Sequence, residues 1–363
     1  MKLSRLGEFG AIARIAAISH APGGEVMVGI GDDAAAYTPK KGMTSLVAAD
    51  MMVEGVHFDL GTTGYRELGR KSLAVNLSDI AAMGGRPLYY LVSLGLPADM
   101  ESANLDGLYR GMEEMAAPFG VRLIGGDTCS SAILVISVTI IGEAVPGKVI
   151  TRTGACPGDD IYVTGTLGDS AGGLEILKAG ARAEGLGASE RPGVNVGAGL
   201  RARPSENIGA GMAYLINRHI DPSPRVEAGM LLARSGLVTA MIDVSDGLSS
   251  DLGHILGIGK MERASGGKLG AVIYDKVIPL SGELVGVYGR GKAVRLALHG
   301  GEDYELLFTA RPGGGDALAG LQDMAGIAIN KIGSVADGGG LLLETAGGKR
   351  RALRPRGYEH FAR

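Results

Sequence analysis

The sequence predicts a two-domain protein of α/β or α+β class. A chain of 363 residues exceeds the size at which a single core stops growing. Short strand-like apolar runs alternate with helix-like segments. A joint punctuated by Gly and Pro then separates one such series from the next. Hydrophobic residues at 45% and charged residues at 21% are ordinary for a globular protein with a sizeable core. The 62 glycines, with 4% aromatics and no tryptophan, imply many tight backbone turns.

In chain order, strand-like runs fall at 26–30, 45–49, 88–96, 121–124 and 133–143, with helix-like segments at 65–83 and 105–119. The joint "AVPGKVITRTGACPGDDIYVTG" follows, and a fresh strand is expected at 161–164. The boundary is placed in 148–157, giving domains 1–148 and 149–363. Residues 180–211 have much Gly and little periodicity and read as an insertion or surface loop.

Net charge of -3 offers no global basic field, so nucleic acid is not expected as a partner. The N-terminus lacks a signal-peptide h-region and no run approaches about 18 apolar residues, so a cytoplasmic protein without membrane attachment is expected. Cys129 and Cys156 lack disulfide or zinc-site spacing and read as reduced thiols.

The chemistry is carried by acids that follow apolar runs. "VMVGIGDD" ends in Asp32 and Asp33, "SLVAAD" in Asp50, "VRLIGGD" in Asp127, and "LVTAMIDVSD" contains Asp243 and Asp246. One such Asp is commonly a turn or helix cap. Several together suggest carboxylates gathered at sheet rims, and hard oxygen donors with few basic neighbours suit Mg²⁺. Asp79 extends the set: Ser72, Asn76 and Asp79 share one helical face opposite Leu73, Leu77, Ile80 and Gly84, and the plain alternative is a solvated polar stripe. The glycine clusters "GGD" at 125–127, "SDGLSSD" at 245–251 and "HGGEDYEL" at 299–306 add backbone able to approach an anion. Together these describe a site for Mg²⁺-bound polyphosphate. "GIGDDA" is a poor dinucleotide fingerprint because its two carboxylates would repel a pyrophosphate, and "GVYGRGKA" has Ala293 where a P-loop needs Ser or Thr. His57 reads either as a packed strand-end histidine or as a ligand contact beside Asp50.

The ordered motifs "GIGDDAA", "ADMMVEGVHF", "KSLAVNLSDIAAMGGRP", "LIGGDT", "TRTGACPGDDIYVTGTLGDSAGGL", "RHIDPSPRV", "IDVSDGLSSDLGHI", "GGEDYELLF" and "GYEHF" resemble the thiamine-monophosphate kinase family, within the aminoimidazole-ribonucleotide-synthetase-like superfamily, over nearly the whole chain. The resemblance implies a two-domain α+β fold whose N-terminal domain forms a dimeric β-barrel, with ATP in the cleft between domains. It implies ATP-dependent phosphorylation of thiamine monophosphate by direct in-line transfer with several Mg²⁺ and no protein nucleophile. By motif, Asp33, Asp50, Asp79, Asp127, Asp243 and Asp246, with the adjacent Asp32, match metal-holding positions. Gly126, Asp127, Arg152, Ser245 and Tyr109 match ATP contacts, and His57, Glu302 and Tyr358 face the substrate.

Two departures stand out. Ala48 and Ala49 occupy positions where the family usually has Ser-Thr before Asp50, and Pro355 and Arg356 occupy the place of an aromatic near the terminal Gly-Tyr. They leave a non-catalytic nucleotide- and metal-binding homologue, or an ATP-using relative with another acceptor, as alternative readings. A selenophosphate synthetase would need a Cys near the N-terminus, and a hydrogenase-maturation dehydratase a C-terminal Cys. This chain has neither.

Overall fold

The computed structural model describes residues 1–6, 8–19, 25–30, 34–183, 209–258 and 268–357. The chain divides into two compact units: one of residues 1–77, 87–143 and 175–209, the other of 78–86, 144–174 and 210–363.

The first unit begins with helices α1 (Leu3–Leu6) and α2 (Glu8–Ile18). Strands β1 (Val26–Val28) and β2 (Ala36–Tyr37) form a two-stranded antiparallel ribbon. Strand β3 (Thr44–Val53) is followed by helix α3 (Tyr65–Ala82), strand β4 (Arg86–Leu96), helix α4 (Ser102–Ala116), and strands β5 (Arg122–Ser130) and β6 (Val135–Ala144). Among the described residues these strands make an open four-stranded sheet in the order β3-β6-β4-β5, with β4 and β5 parallel. No closed barrel is present among them.

Period decides which faces are buried. In β6 every second residue is inward (Ile136, Val138, Ile140), as a half-buried strand requires. In α4 the buried set Leu105, Leu108, Tyr109 and Met112 follows the i, i+3, i+4, i+7 rule. In helix α3 the alternative of a solvated stripe fails at two of its three positions: Asp79 is partly exposed, but Ser72 and Asn76 are as buried as Leu73 and Leu77, and the helix ends before Gly84. Both buried side chains bond the helix's own backbone: Ser72 Oγ donates to Gly69 O at 2.9 Å, and Asn76 Nδ2 to Ser72 O at 2.9 Å. Helices α3 and α4 pack through glycine. A Cβ on Gly69 would fall 1.9 Å from Leu108 O, and one on Gly111 1.9 Å from Arg66 O.

The second unit continues with β7 (Asp160–Thr164), helices α5 (Asp169–Ala183), α6 (Ala210–Ile220) and α7 (Val226–Ser235), β8 (Val238–Asp243), α8 (Leu248–Leu256) and β9 (Leu269–Tyr274). It closes with α9 (Gly282–Tyr288), α10 (Arg290–His299), β10 (Leu306–Ala310), α11 (Gly315–Ala325), β11 (Ile329–Asp337), β12 (Gly340–Glu344) and β13 (Arg350–Leu353). Its sheet runs β13-β12-β9-β11-β7-β10-β8 among the described residues, antiparallel except for β12 beside β9. Ile161, Val163, Leu252, Ile273 and Leu307 lie in its continuous apolar core. The expected loop at 180–211 is corrected at its edges: α5 runs through Ala183 and α6 starts at Ala210, while 184–208 lie outside the described residues. No helix among the described residues is long and apolar enough to cross a membrane.

Candidate functional site

Register builds the site in the second unit. Asp243, the last residue of β8, pairs with Leu306, the first residue of β10, so the segment leaving one strand meets the segment entering the other. The ladder continues past the strands: Val244 N donates to Glu305 O at 2.8 Å, Tyr304 N to Val244 O at 2.9 Å, and Glu302 N to Ser245 O at 2.8 Å. Glycine makes this approach possible, since a Cβ on Gly301 would stand 2.2 Å from Ser245 O. The motifs "IDVSDG" and "GGEDYE" thus form one structure. Ser78 Oγ donates to Asp243 Oδ2 at 2.7 Å and brings the turn that carries Asp79 to the end of β8.

Three carboxylates crowd this end. Asp251 accepts from Asp246 N at 3.2 Å and Gly247 N at 3.0 Å. Burial, with Asp243 and Asp246 adding negative potential, pushes its carboxyl up to about 8. Asp246, Asp251 and His254 each bring a ligand atom within 4.8 Å of the others. Of the three only Asp251 is buried, and its carboxylate beside that of Asp246 gives mutually repelling oxygen donors that fit a divalent cation such as Mg²⁺. The segment 355–357 closes over the same turn: Ser249 Oγ donates to Arg356 O at 2.9 Å, and a Cβ on Gly357 would stand 2.7 Å from Asp246 O. Arg152 is exposed, next to Thr151, whose carbonyl accepts from Met241 N of β8 at 3.0 Å.

The turn into β10 is strained. Glu302 and Tyr304 hold φ of 66° and 51°, a region that costs a residue with a Cβ about 1–2 kcal/mol. Buried side chains on either side pay for it. Asp303 accepts from Gly168 N at 2.7 Å and Ser170 N at 3.2 Å, and its burial raises the carboxyl to about 8. Glu305, also fully buried, receives Arg225 through Nε at 2.7 Å and Nη2 at 2.5 Å, Arg218 Nη2 at 3.0 Å, and Thr164 Oγ1 at 2.7 Å. The bidentate guanidinium supplies what a buried carboxylate needs. Beside this network lies a hollow of about 520 Å³, lined in part by Thr166, Tyr214, Pro279 and Asn330.

The first unit holds the remaining acids. Asp50 lies within β3 and Asp127 within β5, not at strand ends as the sequence reading had it. Both strands are sheet edges, where a polar residue on an open face is tolerated. Asp50 N donates to Asn76 Oδ1 at 3.1 Å, and packing raises its carboxyl while His57 opposes the rise. His57 Nδ1 accepts from Val53 N at 3.0 Å, which assigns the proton of the neutral ring to Nε2. Asp127 Oδ1 accepts from Thr128 N at 2.8 Å. Gly126 lies so close to β4 that a Cβ would meet Val92 O at 2.0 Å. Tyr109 is 2% exposed, inside the packed face of α4, and burial drives its hydroxyl far above the ordinary phenol range.

The structure therefore brings Asp79's turn, Asp243, Ser245, Asp246 and Glu302 together in the second unit, and Asp50 with His57 in the first. Asp32, Asp33 and Tyr358 lie outside the described residues. The sequence reading did not single out Asp251, Asp303, Glu305, His219 or Arg225. They lie in motifs that the sequence does display, Asp251 in "IDVSDGLSSDLGHI", Asp303 and Glu305 in "GGEDYELLF", and His219 and Arg225 in "RHIDPSPRV", but nothing local shows which of these charges are buried.

Residues 31–144 match the family model for the AIR synthase related protein, N-terminal domain. A thiamine-monophosphate kinase from Escherichia coli (strain K12) is 38% identical over 98% of this chain and 98% of its own length. The solved structure of thiamine-monophosphate kinase from Stenotrophomonas maltophilia K279a superposes with a TM-score of 0.76 at 36% identity, covering 93% of this chain and 96% of that one. A structure of AaThiL complexed with AMPPCP and TMP superposes with a TM-score of 0.70 at 30% identity, covering 99% of each chain.

Proposed function

Because this chain belongs to the thiamine-monophosphate kinase family, we propose that it transfers the γ-phosphoryl group of ATP to thiamine monophosphate, yielding ADP and thiamine diphosphate. The observation that carries this reading is near-complete coverage of a relative complexed with AMPPCP and TMP. Asp50, Asp79, Asp127, Asp243 and Asp246 would hold Mg²⁺, together with Asp32 and Asp33. The buried Asp251 carboxyl, crowded by Asp243 and Asp246, supports a cation there. When bound, the metal would neutralise phosphate charge.

The chain's own residues do the positioning. Ser245, Gly126, Asp127 and Arg152 would contact ATP, a role that Tyr109, 2% exposed within α4, is too buried to share, and His57, Glu302 and Tyr358 would face the acceptor. No protein base is needed, because a phosphate monoester with a second pKa near 6 is already mostly dianionic at neutral pH. Holding its oxygen in line with the γ-phosphorus removes much of the entropic barrier.

The resemblance also implies a homodimer whose N-terminal sheets close a barrel. Val47 and Met51 support it, since these large apolar side chains are 68% and 56% exposed on edge strand β3. Free, exposed Cys129 and Cys156 suit a reducing cytoplasm.

The test is chromatographic. Purified protein with Mg-ATP and thiamine monophosphate should yield equimolar ADP and thiamine diphosphate, and EDTA should abolish both. Binding of Mg-ATP without product would instead mean that Ala48, Ala49 and Pro355 have changed the acceptor or ended turnover.

A further inference from the structure

The motif "RHIDPSPRV" received no role in the reaction, yet its histidine sits against the turn that presents Glu302. His219 is buried on α6, and its Nδ1 lies 3.0 Å from Ser170 Oγ and 3.4 Å from Glu302 Oε2. Ser170 is held in turn by its own backbone, whose N–H donates to Asp303 Oδ1 at 3.2 Å. Asp303 is the next residue after Glu302. The contacts close a circuit: Glu302 carboxylate, His219 ring, Ser170 hydroxyl, Ser170 amide, Asp303 carboxyl, and back along the chain to Glu302.

We infer that His219, with Ser170 behind it, is a positioning residue that fixes the Glu302 carboxylate toward the phosphate acceptor. The backbone alone does not do this. Glu302 sits at φ 66° with a flexible three-torsion side chain that retains 28% exposure, so the turn locates its Cα while the carboxylate needs a second anchor. A buried imidazole held against α5 and the Glu302 turn is a rigid anchor, because little rotamer freedom is left to lose. An acceptor carrying a cationic ring would meet a carboxylate already in place. This role rests on the reading that the acceptor is thiamine monophosphate and that Glu302 faces it.

The experiment uses the full-length protein and measures KM for each substrate, kcat and the thermal unfolding midpoint. His219→Ala should raise KM for thiamine monophosphate about tenfold, the loss of one buried contact with a charged group, and leave KM for Mg-ATP within twofold. His219→Asn, which keeps an amide donor near the Nδ1 position, should recover most of that loss, and Ser170→Ala should shift the same KM in the same direction. Unchanged KM for thiamine monophosphate in His219→Ala would overturn the inference, as would equal rises for both substrates.

Wild-type turnover is the control on the functional reading. If no thiamine diphosphate forms, that reading fails, and ¹⁵N-histidine NMR decides the circuit separately. The His219 Nδ1 resonance should move on Glu302→Gln. A resonance indifferent to that change would overturn the anchor whatever the acceptor is.

Discussion

A carboxylate proposed to hold a cation is poorly placed for stability and well placed for chemistry, and Asp127 makes the proposal testable. It lies on an exposed stretch of β5 and accepts a bond only from its neighbour's amide among the bonds assigned to it. Asp127→Asn should reduce kcat at least a hundredfold while the thermal midpoint stays within about 2 °C, since no packing is lost. Parallel loss of fold and activity would make the residue structural. Asp303 gives a pH prediction. Its carboxyl titrates near 8 in the folded chain against about 3.9 when unfolded, so the folded state keeps a proton that the unfolded state has lost. Its stabilising contribution is complete below about pH 4 and is lost as pH rises to about 8. The unfolding midpoint measured in EDTA should fall between about pH 5 and pH 8, and Asp303→Asn should flatten that slope. A slope identical in both proteins would contradict the assignment. Asp243 was legible because an apolar run visibly stops there. The Arg225–Glu305 pair was not, since the partners stand 80 positions apart and nothing local announces that they meet.

At the scale of elements, the abundant glycine proves to serve helix contacts as well as turns. Gly69 and Gly111 let α3 and α4 touch backbone to backbone, and Gly173 does the same for α5 against Leu215 O, where a Cβ would come to 2.1 Å. Gly111→Ala should cost about 1–3 kcal/mol, as overpacking does, read as a lower denaturant midpoint. Gly286, in α9 with open space around its Cα, is the contrast: Gly286→Ala should be neutral or stabilise by up to about 1 kcal/mol. The strand and helix order followed from apolar period, and so did the edges of α3 and α4 to within a few residues. Period could not tell a solvated stripe from the buried one at Ser72 and Asn76, because a polar side chain that bonds its own backbone gives the same pattern as one that bonds water.

For the whole molecule, the acids are divided between two units that follow the chain only loosely, since the last turn of α3 counts with the second. The mixed α and β class was legible from the alternation of strand-like and helix-like runs. Which segments pack into one unit depends on contacts between distant parts of the chain, which no local pattern announces. At that scale the proposed dimer gives a clear expectation. The 37.1 kDa chain should sediment at about twice its mass at micromolar concentration, and replacing both Val47 and Met51 by Lys should release monomer. A wild-type protein sedimenting as monomer would count against the pairing of its edge strands.

The turn at Glu302 and Tyr304 also bears on any attempt to make the protein more heat-resistant. Glycine adopts those angles without strain, so a search that scored only unfolding would favour glycine at the partly exposed Glu302. At Tyr304 the relief of strain is smaller than the cost of losing a buried ring. At Glu302 the hardier variant would emerge without the carboxylate that the acceptor is proposed to meet. Selection for heat resistance alone would therefore drift toward an inert enzyme at this position, and any thermostability screen of this chain should retain turnover as a second gate.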